Sequence, residues 1–170
     1  MRPLAIVTAF LGVLFAGAIF GFFYAWLCST MWGLDAADPR VAISAMQAMN
    51  ASVRNAAFAP AFFGTPAVLA LAALLAARVG RGAGMFLGLA AAVYAAAALL
   101  VTLQVNVPMN EVLAATPVPE DIEAARLVWQ EYSPRWQDYN LIRTVASGLA
   151  LALAVIGFGL LMRPERRRAF

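Results

Sequence analysis

The sequence predicts an all-α integral membrane protein built around a bundle of four transmembrane helices. The chain has 170 residues, of which 64% are apolar and only 12% are charged, whereas soluble domains are close to half apolar and a quarter charged. A chain of this length encloses too little interior to bury so many apolar side chains in a water-soluble fold. Four uncharged stretches are each long enough to cross a hydrocarbon layer of about 30 Å, which takes roughly 20 helical residues.

The four predicted spans cover residues 3–30, 58–78, 84–106 and 141–163, and the whole chain, 1–170, is interpreted as one domain. The first span follows Arg2 and therefore begins like a secretory signal. Its apolar run is much longer than a signal core of about 7 to 15 residues, which favours a helix that the protein retains.

Between the first and second spans, the sequence predicts an extracytoplasmic cap helix over residues 39–59. Asp38 followed by Pro39 is the pattern of a helix start, because a capping side chain precedes a proline in the first turn. Met46 and Met49 lie on an apolar stripe at helical spacing, and this stripe is expected to face the bundle.

The loop between the third and fourth spans also predicts a helix. The prolines after Thr116 favour a helix start, and the acids that follow suit the positive end of a helix dipole. A short helix is therefore expected over residues 119–132. Ser133 and Pro134 are expected to begin the next helix, which continues into the fourth span.

Charge distribution predicts the orientation in the membrane. The side of the two chain ends holds seven arginines and one acid: Arg2, Arg78, Arg81, Arg163, Arg166, Arg167, Arg168 and Glu165. The other side holds five arginines and eight acids: Arg40, Arg54, Arg126, Arg135, Arg143, Asp35, Asp38, Glu111, Glu120, Asp121, Glu123, Glu131 and Asp138. The positive-inside bias predicts a multi-pass protein of the cell membrane with both termini in the cytoplasm.

Composition excludes several chemistries and partners. The chain has no His and a single Cys, Cys28, and all twelve of its basic residues are Arg. Histidine-ligated metal sites, Ser-His-Asp and Cys-His catalysis, and an intrachain disulfide are therefore excluded. Because the arginines lie at the ends of spans, they indicate contact with membrane lipids and no nucleic-acid partner.

Small residues at four-residue spacing leave open whether the chain associates with another chain in the membrane. Gly17 and Gly21 form one such pair, and Gly80, Gly84 and Gly88 form a longer series. This spacing is used both for dimerisation and for close packing within a bundle. Packing within the bundle is the favoured interpretation, with a protein partner or a homo-oligomer as the alternative.

A cluster of hydrogen-bond donors is predicted at the extracytoplasmic ends of the helices. Counting about 20 residues from each cytoplasmic end brings amides and an arginine from three spans to the same depth. The candidate catalytic residues are Asn106, Asn110, Asn140 and Arg143, and the candidate substrate-binding residues are Asn50, Arg54, Asn55 and Trp136. Buried groups of this kind must be satisfied by one another or by a ligand.

The segments Asn106-Val-Pro-Met-Asn110 and Trp136-Gln-Asp-Tyr-Asn140-Leu-Ile-Arg143 resemble the anthrone oxygenase-like family of small four-helix integral membrane proteins. The resemblance implies O₂-dependent oxidation of an anthrone-like polycyclic aromatic to a quinone, with no metal or flavin cofactor. It implies that the amides and Arg143 stabilise an enolate oxygen and that Trp136 is a wall for a flat ring system. Glu111, Asp138 and a water molecule stay open as the base.

A second function from another class stays open at this point. The same polar residues are also expected in a non-catalytic membrane module, either an accessory subunit of a larger complex or a bundle that binds lipid or a small molecule. In that case the amides would join the cap to the helices. An open cavity of about 300 Å³ or more, lined by the named residues, favours the enzyme, whereas a filled and fully paired network favours the module.

Overall fold

The computed structural model describes residues 1–163. Five helices occur in this part of the chain: α1 Arg2–Asp35, α2 Pro39–Ser52, α3 Phe58–Ala77, α4 Arg81–Ala115 and α5 Ile122–Met162. All of them except α2 are long and apolar enough to cross a membrane, and residues 1–163 contain no strand. The predicted all-α multi-pass membrane protein is thus confirmed. Arg166, Arg167, Arg168 and Glu165, which contribute to the predicted orientation, lie outside the described residues.

The four long helices form a ring in which α1 and α4 each pack against both α3 and α5. The Nη2 atom of Arg2 donates to the carbonyl oxygen of Leu161 at 3.1 Å. Both ends of the described chain therefore lie at one end of the bundle, and we call the opposite end the distal end. At the distal end, α2 buries Ala42, Ile43 and Met46 in a cluster with Trp129 of α5.

The start of α2 agrees with the prediction, but its end does not. The Asp38 carboxylate accepts the backbone N–H of Arg40 at 2.9 Å, and Pro39 lies in the first turn. The prediction that this helix continues to residue 59 was wrong, because α2 ends at Ser52. The Asn55 side-chain oxygen accepts the backbone N–H groups of Ala57 at 2.8 Å and of Phe58 at 3.0 Å. It thereby begins α3 instead of prolonging α2.

The helix predicted over residues 119–132 is not a separate element. It is the distal part of α5, a single helix of 41 residues that Asp121 caps by accepting the backbone N–H of Ala124 at 2.8 Å. At 1.5 Å per residue α5 is about 60 Å long, roughly twice the thickness of a hydrocarbon layer. The prediction that Ser133 and Pro134 begin a new helix was therefore wrong.

A shared carboxylate explains why α5 continues through Pro134. The Ser133 hydroxyl donates to the Asp35 carboxylate at 2.7 Å and so does not cap a helix. Trp129 Nε1 and Gln137 Nε2 donate to the same carboxylate, each at 2.9 Å. These contacts hold the helix on both sides of the proline against the end of α1, where tertiary contacts offset the missing backbone hydrogen bond.

Wider π-helical turns interrupt α1 at Trp26–Thr30 and α4 at Tyr94–Leu99 and Thr102–Asn106. A π turn inserts one residue and so changes the face on which the following side chains lie. Within the second interruption in α4, Asn106 is fully buried, while Gln104 is exposed. These turns therefore determine which polar side chains of α4 point into the bundle.

Candidate functional site

A cavity of about 570 Å³ lies at the distal end, between α1, the connection from α2 to α3, α4 and α5. Its walls are dominated by aromatic rings: Phe22, Phe23, Trp26, Phe58, Phe62, Phe63 and Trp136. Small-molecule sites commonly occupy about 300 to 1,000 Å³ and combine apolar walls with a few polar groups. This cavity has the size and the lining of such a site.

Six of the eight predicted site residues line the cavity: Asn50, Arg54, Asn55, Asn110, Trp136 and Arg143. The other two, Asn106 and Asn140, are not part of the lining and are almost completely buried, with exposed fractions of 0% and 1%. The structure therefore brings the predicted group together but divides it into side chains that face the cavity and side chains that lie behind them.

Arg143 is the most unusual side chain in the lining. It is only 4% exposed, and its guanidinium carbon lies 4.6 Å from the centre of the Phe23 ring and 4.9 Å from that of Trp136. Nη2 donates to Asn140 Oδ1 at 2.9 Å and Nη1 to Thr102 Oγ1 at 3.4 Å, whereas Nε has no hydrogen-bond partner. Among residues 1–163 no carboxylate lies within 4.0 Å of this guanidinium.

A buried cation without an anionic partner is costly, because the rings and neutral oxygens around it replace only part of its hydration. Cation–π contacts recover some of this free energy. An oxygen that carries negative charge would recover more, because charge-assisted hydrogen bonds are stronger than neutral ones. The Arg143 guanidinium in the cavity wall is therefore suited to bind an anionic or ionising oxygen.

Asn140 positions Arg143 and does not itself reach the cavity. Its Nδ2 donates to the backbone oxygen of Phe23 at 3.2 Å, and its Oδ1 accepts from Arg143. Both ends of the amide are thus used within the protein. Asn140 thereby connects α1 to the guanidinium and fixes the position of Arg143 in the wall of the cavity.

Asn110 is the centre of a second network, which joins α2, α4 and α5. Its Oδ1 accepts from the Tyr132 hydroxyl at 2.7 Å and from Trp136 Nε1 at 2.9 Å, and its Nδ2 donates to Asn50 Oδ1 at 3.1 Å. An indole N–H only donates, so the direction of these bonds is fixed. Asn50 Nδ2 is buried and has no hydrogen-bond partner in the described part of the chain. Asn110 is therefore used mainly to connect the helices.

The remaining predicted residues differ in their surroundings. Asn106 Nδ2 makes a long contact of 3.4 Å to the Trp136 backbone oxygen, and its Oδ1 has no partner in the described part of the chain. Asn55 is occupied by the turn that begins α3. Arg54 pairs with Glu111 at 3.4 Å, and both side chains are about 60% exposed. This ion pair therefore marks the exposed edge of the cavity.

Sequence reasoning missed several residues of the site. Tyr132 lies one turn before Trp136 on α5, and this spacing was a usable signal. Thr102 and Phe23 contact Arg143, but no sequence pattern indicates either of them. Of the two carboxylates considered as a base, only Glu111 lines the cavity, whereas Asp138 is exposed and outside it.

The fold and the cavity define a multi-pass helical membrane protein with a ligand-sized, aromatic-walled site at one end of its bundle. Comparison with protein-family models gives a match to the family described as anthrone oxygenase over residues 54–153. The chain belongs to this family, as the sequence segments 106–110 and 136–143 indicated. The match includes every predicted site residue except Asn50. No curated protein and no solved structure matches the chain.

Proposed function

We propose that the protein oxidises a flat polycyclic aromatic of the anthrone class to a quinone with O₂, in the distal cavity, without a metal or flavin. The observation that carries this proposal is the Arg143 guanidinium, which is buried between two aromatic rings in the wall of a 570 Å³ cavity and has no carboxylate partner among residues 1–163. A flat aromatic with an ionising oxygen complements both the rings and the charge.

The reaction begins when the methylene of the anthrone loses a proton. The electron pair of the broken C–H bond moves through the central ring to the carbonyl oxygen and forms an enolate. The enolate passes an electron to O₂, and the two radicals combine into a peroxide at the former methylene carbon. Loss of water from this peroxide gives the second carbonyl, so one oxygen atom enters the quinone and the other leaves as water.

The residues in the wall are assigned to this chemistry by their positions. Arg143 stabilises the enolate oxygen, as a fixed donor in a site of low polarity does for developing negative charge. Trp136 and Phe23 hold the ring system. Asn106, Asn110 and Asn140 keep these side chains in place, while Arg54 and Asn50 close the cavity from the side of α2. Exclusion of water then strengthens the interaction of Arg143 with the substrate.

We propose in addition that the protein lies in the cell membrane with both termini in the cytoplasm. The four described arginines at the end opposite the cavity support this orientation by the positive-inside bias: Arg2, Arg78, Arg81 and Arg163. The distal cavity then lies near the outer surface of the membrane. Apolar aromatics and O₂ both concentrate in the bilayer, which is the medium around the site.

The test is oxygen consumption by the purified protein in detergent with anthrone as substrate, together with metal analysis and an absorption spectrum for flavin and haem. We expect the wild type to accelerate O₂ uptake without stoichiometric metal or cofactor. Arg143→Gln should reduce turnover roughly 100-fold or more, because it removes the charge that faces the developing oxyanion. Arg135→Gln is the matched control, since Arg135 is an exposed arginine of the same helix outside this cavity.

The non-catalytic module gives a different result. If the wild type consumes no O₂ with any of a series of anthrones, and the Arg143 variant changes only thermal stability, the polar residues serve to join helices. An accessory subunit or a binding bundle would then be the better description of the protein.

A further inference from the structure

We infer that Glu111 is the base that removes the methylene proton, an assignment that rests on the proposed function. Among the described residues Glu111 is the only carboxylate in the lining of the cavity. It directly follows Asn110, whose amide is held by three hydrogen bonds. The backbone that carries Glu111 is therefore fixed relative to the walls.

Arg54 holds the carboxylate from the other side. Its Nη2 donates to Glu111 Oε1 at 3.4 Å, and Oε2 accepts no hydrogen bond in the described part of the chain. The pair joins α4 to the connection between α2 and α3 across the exposed edge of the cavity. The ion pair therefore positions a carboxylate at the edge of the cavity.

The shape of an anthrone fits a cavity that has Arg143 in its buried wall and Glu111 at its exposed edge. Its carbonyl and its methylene lie at opposite positions of the central ring. When the carbonyl oxygen binds Arg143, which is only 4% exposed, the methylene points away from the buried wall. The methylene then lies at the exposed edge of the cavity. At this edge 60% of the Glu111 side chain is accessible to solvent.

The step is a balanced proton transfer. The methylene C–H bond breaks, its electron pair becomes part of the enolate whose oxygen contacts Arg143, and the proton forms an O–H bond to the Glu111 carboxylate. Glu111 then releases the proton to water at the exposed edge. No oxidant takes part in this step, so it is separable from the reaction with O₂.

The experiment measures hydrogen–deuterium exchange at the methylene of anthrone under anaerobic conditions, with purified full-length protein in detergent prepared in D₂O. We expect the wild type to accelerate exchange over detergent alone and Glu111→Gln to lose roughly 100-fold or more of this acceleration. Asp138→Asn is the matched control and should exchange like the wild type. Quenching of tryptophan fluorescence by anthraquinone, with Trp26 and Trp136 in the wall, checks that each variant still binds an aromatic.

A second variant separates a base from a structural side chain. Glu111→Ala should be rescued by added formate, because the position is open to solvent and formate supplies the missing carboxylate, whereas a structural defect would not respond. Wild-type exchange in Glu111→Gln, or lack of rescue in a Glu111→Ala protein that binds anthraquinone, would overturn the inference.

The outcomes also separate this inference from the proposed function. O₂ uptake by the wild type without accelerated exchange would leave the oxidation standing and remove Glu111 as the base. Exchange that depends on Glu111 without O₂ uptake would support the base while contradicting the oxidation. Absence of both activities in the wild type would contradict both assignments.

Discussion

Arg143 is held in an apolar part of the bundle by neutral neighbours. Asn140 and Thr102 accept from its terminal nitrogens, and the rings of Phe23 and Trp136 cover its faces. Each contact replaces part of the lost hydration, yet none of them neutralises the charge. The side chain is thereby kept in place for a ligand at some expense of stability, as is common where function requires a preorganised group.

The first residue-scale prediction concerns the support of this arginine. Asn140→Ala removes the side-chain donor to the Phe23 carbonyl, which still accepts the backbone N–H of Trp26, and it leaves Arg143 Nη2 without its partner. An unpaired buried group costs about 1 to 3 kcal/mol. We expect this variant to lower the unfolding temperature in detergent and also to reduce O₂ uptake, because Arg143 loses its fixed position.

Gln104→Ala is the control for this comparison. Gln104 is an exposed amide on α4 without a side-chain hydrogen bond in the described part of the chain, so its removal should change stability by less than about 0.5 kcal/mol. An Asn140→Ala protein as stable as the Gln104 variant would contradict the supporting role.

The residue types at the site could be predicted from the sequence, but their pairing could not. Five asparagines and two arginines near the distal ends of the helices indicated a cluster of donors, and five of these seven side chains line the cavity. Which amide faces the cavity depends on where its two ends find partners. Asn110 and Asn140 are used within the protein because Tyr132, Trp136 and Phe23 lie beside them. Such contacts arise from the packing of three helices.

At the scale of elements, hydropathy was sufficient to predict the four long helices. Unpaired backbone groups in lipid cost so much free energy that few structures other than helices can cross a membrane. The positions at which these helices are interrupted, or continue through a proline, were less predictable. Pro134 ordinarily ends a helix, yet α5 continues because Asp35 of α1 binds side chains on both sides of it. The π turns of α4 have no sequence signature, since they result from the packing of that helix against its neighbours.

The element-scale prediction concerns the contact between α3 and α4. A Cβ atom on Gly84 would lie 2.9 Å from backbone atoms of Ala77, which is too close, whereas one on Gly88 would lie 3.8 Å from Ala73 Cβ, an ordinary contact. We expect Gly84→Ala to destabilise the bundle by about 1 to 3 kcal/mol through overpacking, measured by thermal unfolding in detergent.

Gly88→Ala is the matched control and should unfold within a few degrees of the wild type. The pair also tests the two interpretations of the glycine series. If Gly84→Ala left the unfolding temperature unchanged but altered the size of the particle in detergent, the series would serve association between chains and not packing within the bundle.

The charges of the whole molecule are separated along the bundle. Among residues 1–163, the end that holds Arg2 and Arg163 carries four arginines and no acid, whereas the distal end carries the acids together with the cavity. This separation predicts which side of the membrane each end occupies. Single cysteines test it in a Cys28→Ser background: Gly80→Cys marks the turn between α3 and α4, where an added Cβ meets no atom within 4 Å. Glu120→Cys marks the exposed connection before α5.

An impermeant maleimide applied to intact cells should label the Glu120→Cys protein and leave the Gly80→Cys protein unlabelled until the membrane is permeabilised. The reason is the cost of translocating clustered arginines, which retains the end with Arg2, Arg78 and Arg81 in the cytoplasm. Labelling of Gly80→Cys in intact cells would reverse the orientation and place the cavity near the cytoplasmic surface. An aromatic substrate made in the cytoplasm would then reach the site without crossing the bilayer.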